Sequence, residues 1–171
     1  MGDAEGDMGL RLAGSTLVAT ALALASAAAA APSAARTTTV HVYFLRGEHA
    51  AVVLRPAPSR TPATAAVRAL LRGPTAAERG RGLSTAVPRG TMVRGLSVRN
   101  GLATVDLTRT FASGGGTSSM QARLFQLVYT VTAVRGVDRV VLQMSGATVR
   151  VFSGEGLILD QPLTRRSVAI E

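Results

Sequence analysis

Catalysis in this chain would have to come from a short inventory of side chains. Six carboxylates lie in the body of the sequence: Glu48, Glu78, Asp106, Asp138, Glu155 and Asp160. Hydrolysis of a glycosidic bond needs two of them facing one another across about 5 to 10 Å, and nothing in their spacing pairs them. His41 and His49 are the only histidines. Neither has a partner at the spacing of a triad or a metal site, so both read as strand or turn residues. Cysteine is absent, which removes thiol nucleophiles, thiolate metal sites and disulfides together. The glycine run Ser113-Gly114-Gly115-Gly116-Thr117 suggests a phosphate cradle, but a P-loop ends in Gly-Lys-Ser/Thr and this sequence contains no lysine. The segment therefore reads as a plain loop. No enzyme, cofactor or metal is expected.

What remains is surface contact. Asp106, Arg109, Arg165 and Arg166 are polar and follow strands or lie in the tail, and Arg68 and Arg72 stand one turn apart on a predicted helix. These six are the candidate interaction surface, although a solvated helix face is the simpler reading of the last two. The absence of lysine beside abundant Ala and Gly points to a GC-rich coding sequence rather than to selection for arginine chemistry.

The N-terminus bears on compartment. Leu12 to Ala31 is an uncharged run rich in Ala and Leu, preceded by Arg11 and followed by Pro32. That is the layout of a secretory signal, and residues 1–35 are assigned to a signal peptide or N-terminal membrane segment. Alanine is only weakly apolar, which favours cleavage over anchoring. The acids Asp3, Glu5 and Asp7 spoil the leader, so translation from Met8 gives a cleaner start; N-terminal sequencing of the precursor tests this. A lipid-modified N-terminus needs a cysteine, so a lipoprotein is not expected. Loss of Asp3, Glu5, Asp7 and Arg11 leaves 18 basic and 7 acidic residues, a net charge of +11. Such a body is attracted to anionic wall polymer or lipid headgroups. No nucleic-acid partner is expected.

Residues 36–171 are long enough for one domain. Val40 to Leu45 is a strand apolar on both faces, expected at the centre of a sheet, and Ala51 to Arg55 returns from it until Pro56. Thr61-Pro62 opens a helix that places Ala63, Ala66, Val67, Leu70 and Leu71 on one side and ends at Gly73-Pro74. Thr75-x-x-Glu78 has capping-box spacing. Gly82 to Gly90 reads as connector. Asn100-Gly101 turns a hairpin that pairs Val98 with Ala103 and Leu96 with Val105, burying Leu96, Val98, Ala103, Val105 and Leu107. Asp106, on the other face, is exposed or partnered by an arginine. Ser118-x-x-Gln121 repeats the capping-box spacing and opens a helix whose stripe is Met120, Leu124, Leu127, Val128, Val131 and Val134. Val137 to Met144 is a strand, Thr148 to Phe152 pairs back to it, and the tail is irregular or an edge strand. The sum is an α+β, two-layer sandwich: a mixed, mostly antiparallel sheet of about five or six strands packed by two main helices.

Seven pieces, in order from Thr38 to Arg166, carry a resemblance. They are Val42-Tyr43-Phe44; Ala69-Leu70-Leu71-Arg72-Gly73-Pro74-Thr75 with Glu78; Gly82-Leu83-Ser84-Thr85-Ala86-Val87-Pro88; Asn100-Gly101-Leu102-Ala103-Thr104-Val105-Asp106-Leu107; Gln126-Leu127-Val128-Tyr129-Thr130; Gly136-Val137-Asp138; and Pro162-Leu163-Thr164-Arg165. Together they resemble a GerMN domain, the module of GerM-type sporulation and spore germination proteins and of LpqB-like lipoproteins. The resemblance implies an extracytoplasmic, non-catalytic domain, similar in fold to ring-building modules that assemble envelope complexes. Its function would be that of an exported scaffold with an envelope protein partner, its oligomeric state left open by the sequence; the alternative is a binder of anionic wall polymer or membrane surface through surface arginines. GerM-type proteins resemble tandem pairs of the domain, often lipid-anchored, whereas this chain has room for one copy and no cysteine.

Overall fold

The computed structural model describes residues 36–152 and 157–169. The Leu12 to Ala31 leader and Glu155 lie outside the described residues. Two long strands, β1 (Thr37–Arg46) and β2 (His49–Pro58), form an antiparallel hairpin through a turn at Gly47. Helix α1 (Pro62–Arg72) follows, then the short α2 (Ala76–Gly80) and a two-residue strand β3 (Leu83–Ser84). A second hairpin, β4 (Val93–Arg99) and β5 (Gly101–Leu107), leads through a 3₁₀ turn at Arg109–Ala112 into α3 (Thr117–Thr132). Strand β6 (Val137–Met144) and the short β7 (Ala147–Thr148), β8 (Val151–Phe152) and β9 (Leu157–Ile158) complete the order, with a 3₁₀ turn at Arg166–Val168.

The class is α+β, but the strands divide into separate sheets where one was expected. One sheet runs β2-β1-β3, a second β4-β5-β6-β7, and β8-β9 is a small third. Among the described strands only β5 and β6 run parallel, joined across α3. The division has a local cause at the edge of β1. At Tyr43 that edge meets side chains of α3 instead of another strand: the Tyr43 N–H donates to Thr130 Oγ1 at 3.0 Å, and Gln126 Nε2 donates to the Tyr43 carbonyl at 3.0 Å.

Helix α1 packs on β1, β2 and α3, and α3 packs on β1 and β6. Val40, Val42 and Phe44 of β1 meet Ala66, Val67 and Leu70 of α1 and Leu127, Val128 and Val131 of α3 in one core, completed by Val105, Leu107, Val140 and Leu142. β1 is central in its sheet, but its faces are unequal. Val40, Val42 and Phe44 are buried, Tyr43 and Leu45 are half-buried and His41 is exposed.

The hairpin register is as the sequence predicts, Val98 opposite Ala103 and Leu96 opposite Val105. Asn100 and Gly101 take φ of 49° and 76°, the positive values a two-residue primed turn requires. A methyl group at Gly101 would meet the Asp138 carboxylate, but that side chain is exposed and can swing aside, so it is the backbone conformation that calls for glycine. Two residues of the expected buried face fall short: Leu96 is half-buried and Val98 remains 41% exposed, because both sit on edge strand β4, Val98 near its tip, while Ala103 and Val105 of the inner strand are sealed.

Four local readings need correction. Leu83–Ser84, read as connector, pairs with Leu45 and Arg46 as a strand. Thr61 precedes Pro62 as expected, yet its side chain makes no capping bond. The Ser118 capping box does not form: α3 begins at Thr117 behind Gly116, because the preceding loop is pinned to Arg123 and enters the helix two residues early. Val151–Phe152 leaves the main sheet to pair with Leu157–Ile158, and the vacated edge of β6 is bridged by Leu163, whose N–H and carbonyl both bond Val140. The capping box at Thr75 and Glu78 does form.

Candidate functional site

Three constellations stand out, and two are internal. Helix α3 carries a polar line beside its apolar stripe: Arg123, Gln126 and Thr130, each nearly or fully buried. The Arg123 guanidinium donates to the Ala86 carbonyl at 2.9 Å, the Phe111 carbonyl at 3.1 Å and the Ser113 carbonyl at 3.0 Å, and also to the Gly114 carbonyl and the Ser119 hydroxyl. The glycine loop thus turns its carbonyls toward an internal cation. That is the reverse of a phosphate cradle, which presents N–H groups. Among the described residues no carboxylate pairs with Arg123, and burial lowers its pKa from the ordinary arginine value.

Gln126 performs the complementary task. While its amide nitrogen holds Tyr43, its Oε1 accepts from the Ala86 N–H at 2.8 Å and from the Thr85 hydroxyl at 3.3 Å. One side chain therefore stands in for the missing stretch of strand between β1 and the Thr85–Ala86 backbone. Every bonding atom of the amide is used, as a fully buried amide must be.

The second internal constellation is Glu78, 6% exposed and bonded by the Arg55 guanidinium at 2.6 Å and the Thr75 N–H at 2.8 Å. The Arg55 hydrogen bond, with the Thr75 N–H second, lowers its pKa from 4.5 to about 2. A carboxylate depressed in the folded state contributes stability above the unfolded pKa and loses it as pH falls. Glu78 accordingly stabilises the fold above pH 4.5, and the contribution disappears on acidification toward pH 2. We expect Glu78→Gln to cost about 2 kcal/mol at neutral pH, less than the full shift implies because Arg55 is partly solvated. Denaturant titrations from pH 7 to 2 should show the acid limb flattened in that variant.

The six residues predicted for contact do not form one site. Asp106 pairs with Arg94 at 3.5 Å and accepts from the Gly146 N–H at 3.1 Å, which ties β4 and β5 to the β6–β7 turn. Arg109 and Arg166 are exposed. Arg165 stacks over Tyr129 and Tyr43, 4.9 and 5.6 Å from the ring centres, and donates to Thr132 Oγ1 at 2.9 Å. It fastens the tail to α3. Arg68 and Arg72 come together, exposed on α1 beside Met92 and Val93.

The outer edge of β2 was left unnumbered by sequence reasoning. Since Tyr43 turns its N–H and carbonyl toward α3, its partner Val52 must turn its own away from β1. By the alternation of antiparallel ladders the same holds for Ala50 and Leu54. The side chains of Val52 and Leu54 are 51% and 56% exposed. A run of outward amides beside exposed Val and Leu invites strand addition. Pro56 and Pro58, which lack N–H groups, close one end of this edge. The signal available in the sequence was the pairing of an apolar Ala51 to Leu54 run with a polar, proline-ended flank.

Comparison with known proteins decides the family. The model of the family described as Germane, sporulation and spore germination, matches residues 41–150. The chain belongs to the Germane family. In fold, this Germane domain is similar to the tandem GerMN domains of the sporulation protein GerM from Bacillus subtilis, with 19% identity and a TM-score of 0.62 over 77% of this chain and 47% of that one. It thus spans about half the length of that tandem chain. Against the first GerMN domain of GerM alone, 75% of this chain covers 98% of the other at 19% identity and a TM-score of 0.59. A candidate lipoprotein from Clostridium perfringens gives 14% identity and a TM-score of 0.57, covering 77% of this chain and 90% of that one. No curated protein matches the sequence significantly. The Germane domain is thus a GerMN domain related to sporulation and germination proteins, and its family is not one of known enzymes.

Proposed function

We propose that this chain is an exported, non-enzymatic adaptor of the bacterial cell envelope, which docks an extended segment of a partner protein along the open edge of β2. The observation that carries the reading is that edge: outward amides at Ala50, Val52 and Leu54 flanked by exposed apolar side chains. Strand addition draws affinity from main-chain bonds and specificity from alternate side chains. Charge selects the partner. With a formal net charge of +9 the whole chain repels a second copy and favours a segment in which Asp or Glu alternates with apolar residues. The kinship with sporulation and germination proteins supports an envelope setting, and the apolar run Leu12 to Ala31 supports export.

Selection from a displayed library of random linear peptides tests the docking. Enriched peptides should alternate apolar and acidic residues, and Val52→Pro, which removes an N–H facing away from β1, should weaken them more than about tenfold with the melting temperature unchanged. Selected peptides that bind Val52→Pro equally well, or a selection that enriches nothing, would overturn the reading.

A further inference from the structure

A cleft of about 680 Å³ lies between the end of α1, α2 and the Leu83–Gly90 backbone. Three arginines from three separate segments line it: Arg72 on α1, Arg79 on α2 and Arg89 after Pro88. Among the described residues no acid does. Glu78, the one acid of α2, is turned to Arg55 and Thr75. Arg79 donates through Nη1 to the Pro74 carbonyl, which fixes the guanidinium at the wall and leaves its other donors available. The floor is partly apolar, from Leu71, Leu83 and Val87.

We propose that this cleft binds a phosphate-bearing anion, the phosphodiester or phosphomonoester of a larger molecule. Three guanidinium groups without a neutralising carboxylate suit a multiply charged oxyanion, because each can offer two parallel N–H donors to phosphate. The volume lies in the range of organic ligand sites and exceeds what a bare ion fills. Codon bias accounts for arginine in place of lysine across the chain, but not for a cleft in which three cations meet no acid. The site is independent of the β2 edge: it lies on other elements and survives if strand docking fails.

Pyrophosphate titrated into the full chain by calorimetry is the first measurement. Saturable binding should weaken about tenfold in Arg72→Gln and in Arg89→Gln, two positions whose side chains make no hydrogen bond within the described fold and so leave its melting temperature unchanged. Arg166→Gln, which removes the same charge elsewhere, should bind as the parent does. Two further arms separate the sources of the phosphate: soluble poly(glycerol phosphate), and phosphatidylglycerol vesicles. Binding of either that is sensitive to Arg72 and Arg89 supports the site. Equal losses in Arg166→Gln, or no saturable binding by any of the three probes, would overturn it.

Discussion

Arg123→Met is expected to destabilise the fold by about 3 to 5 kcal/mol, measured as a loss in denaturation midpoint. Two effects oppose one another. Methionine relieves the desolvation of a buried cation that has no carboxylate partner, which favours the variant. It also strands the carbonyls of Ala86, Phe111, Ser113 and Gly114, which converge on the guanidinium. Each buried, unbonded carbonyl costs about 1 to 3 kcal/mol; Ser113 and Gly114 are exposed and can turn to water, but Phe111 is buried and Ala86 half-buried, so the second effect still wins. Arg123→Lys should recover less than half of the loss. An ammonium has three donors at one point, whereas the guanidinium spreads five over a plane that reaches several loops. The damage should be greatest at the Ser113–Gly116 loop and at the entry to α3.

Gln126→Glu should cost about 3 kcal/mol at neutral pH, with an unusual dependence on pH. The substitution sets a carboxylate oxygen against the Tyr43 carbonyl in a fully buried position. Burial and that contact both disfavour the charged form, raising the folded pKa above its unfolded value. The cost is therefore present above the folded pKa and shrinks as pH falls through it, because the protonated acid can donate to the Tyr43 carbonyl while still accepting from the Ala86 N–H. Glu78 is present in both proteins, so its loss on acidification cancels in the comparison. Melting curves of the two proteins from pH 7 to 4 should converge. Gln126→Leu, which cannot titrate, should stay destabilised throughout.

These internal positions also mark where sequence reading stopped. The turn at Asn100-Gly101 and the capping box at Thr75 were legible because their geometry is local: positive φ values in one case, a three-residue reach in the other. The stripe from Met120 to Val134 was legible from helical period. The joining of the sheets was not. It depends on Gln126 meeting Tyr43 and Ala86, separated from it by 83 and 40 residues, and no periodicity connects them. A polar line at 123, 126 and 130 beside an apolar stripe was the available hint, since polar residues so placed are either solvated or fully bonded. The contact surface was legible only in part. Arginines were chosen for their charge, yet Arg165 is committed to Tyr129 and Thr132. The outward amides of β2 follow from how Tyr43 is used and cannot be read from the side chains of β2.

Residue-resolved hydrogen exchange on the free protein tests the central claim, that one edge of the β1–β2 hairpin is sealed by α3 and the other left open to a partner. The amides of Tyr43 and Ala86 should exchange only on global unfolding, and those of Val53 and Ala51 should be protected by β1. The amides of Ala50, Val52 and Leu54 should exchange near the unprotected rate, alternating with their neighbours along the same strand. Protection of Val52 and Leu54 equal to that of Val53 in the isolated chain would mean that the edge is already occupied, and would contradict an adaptor that docks there.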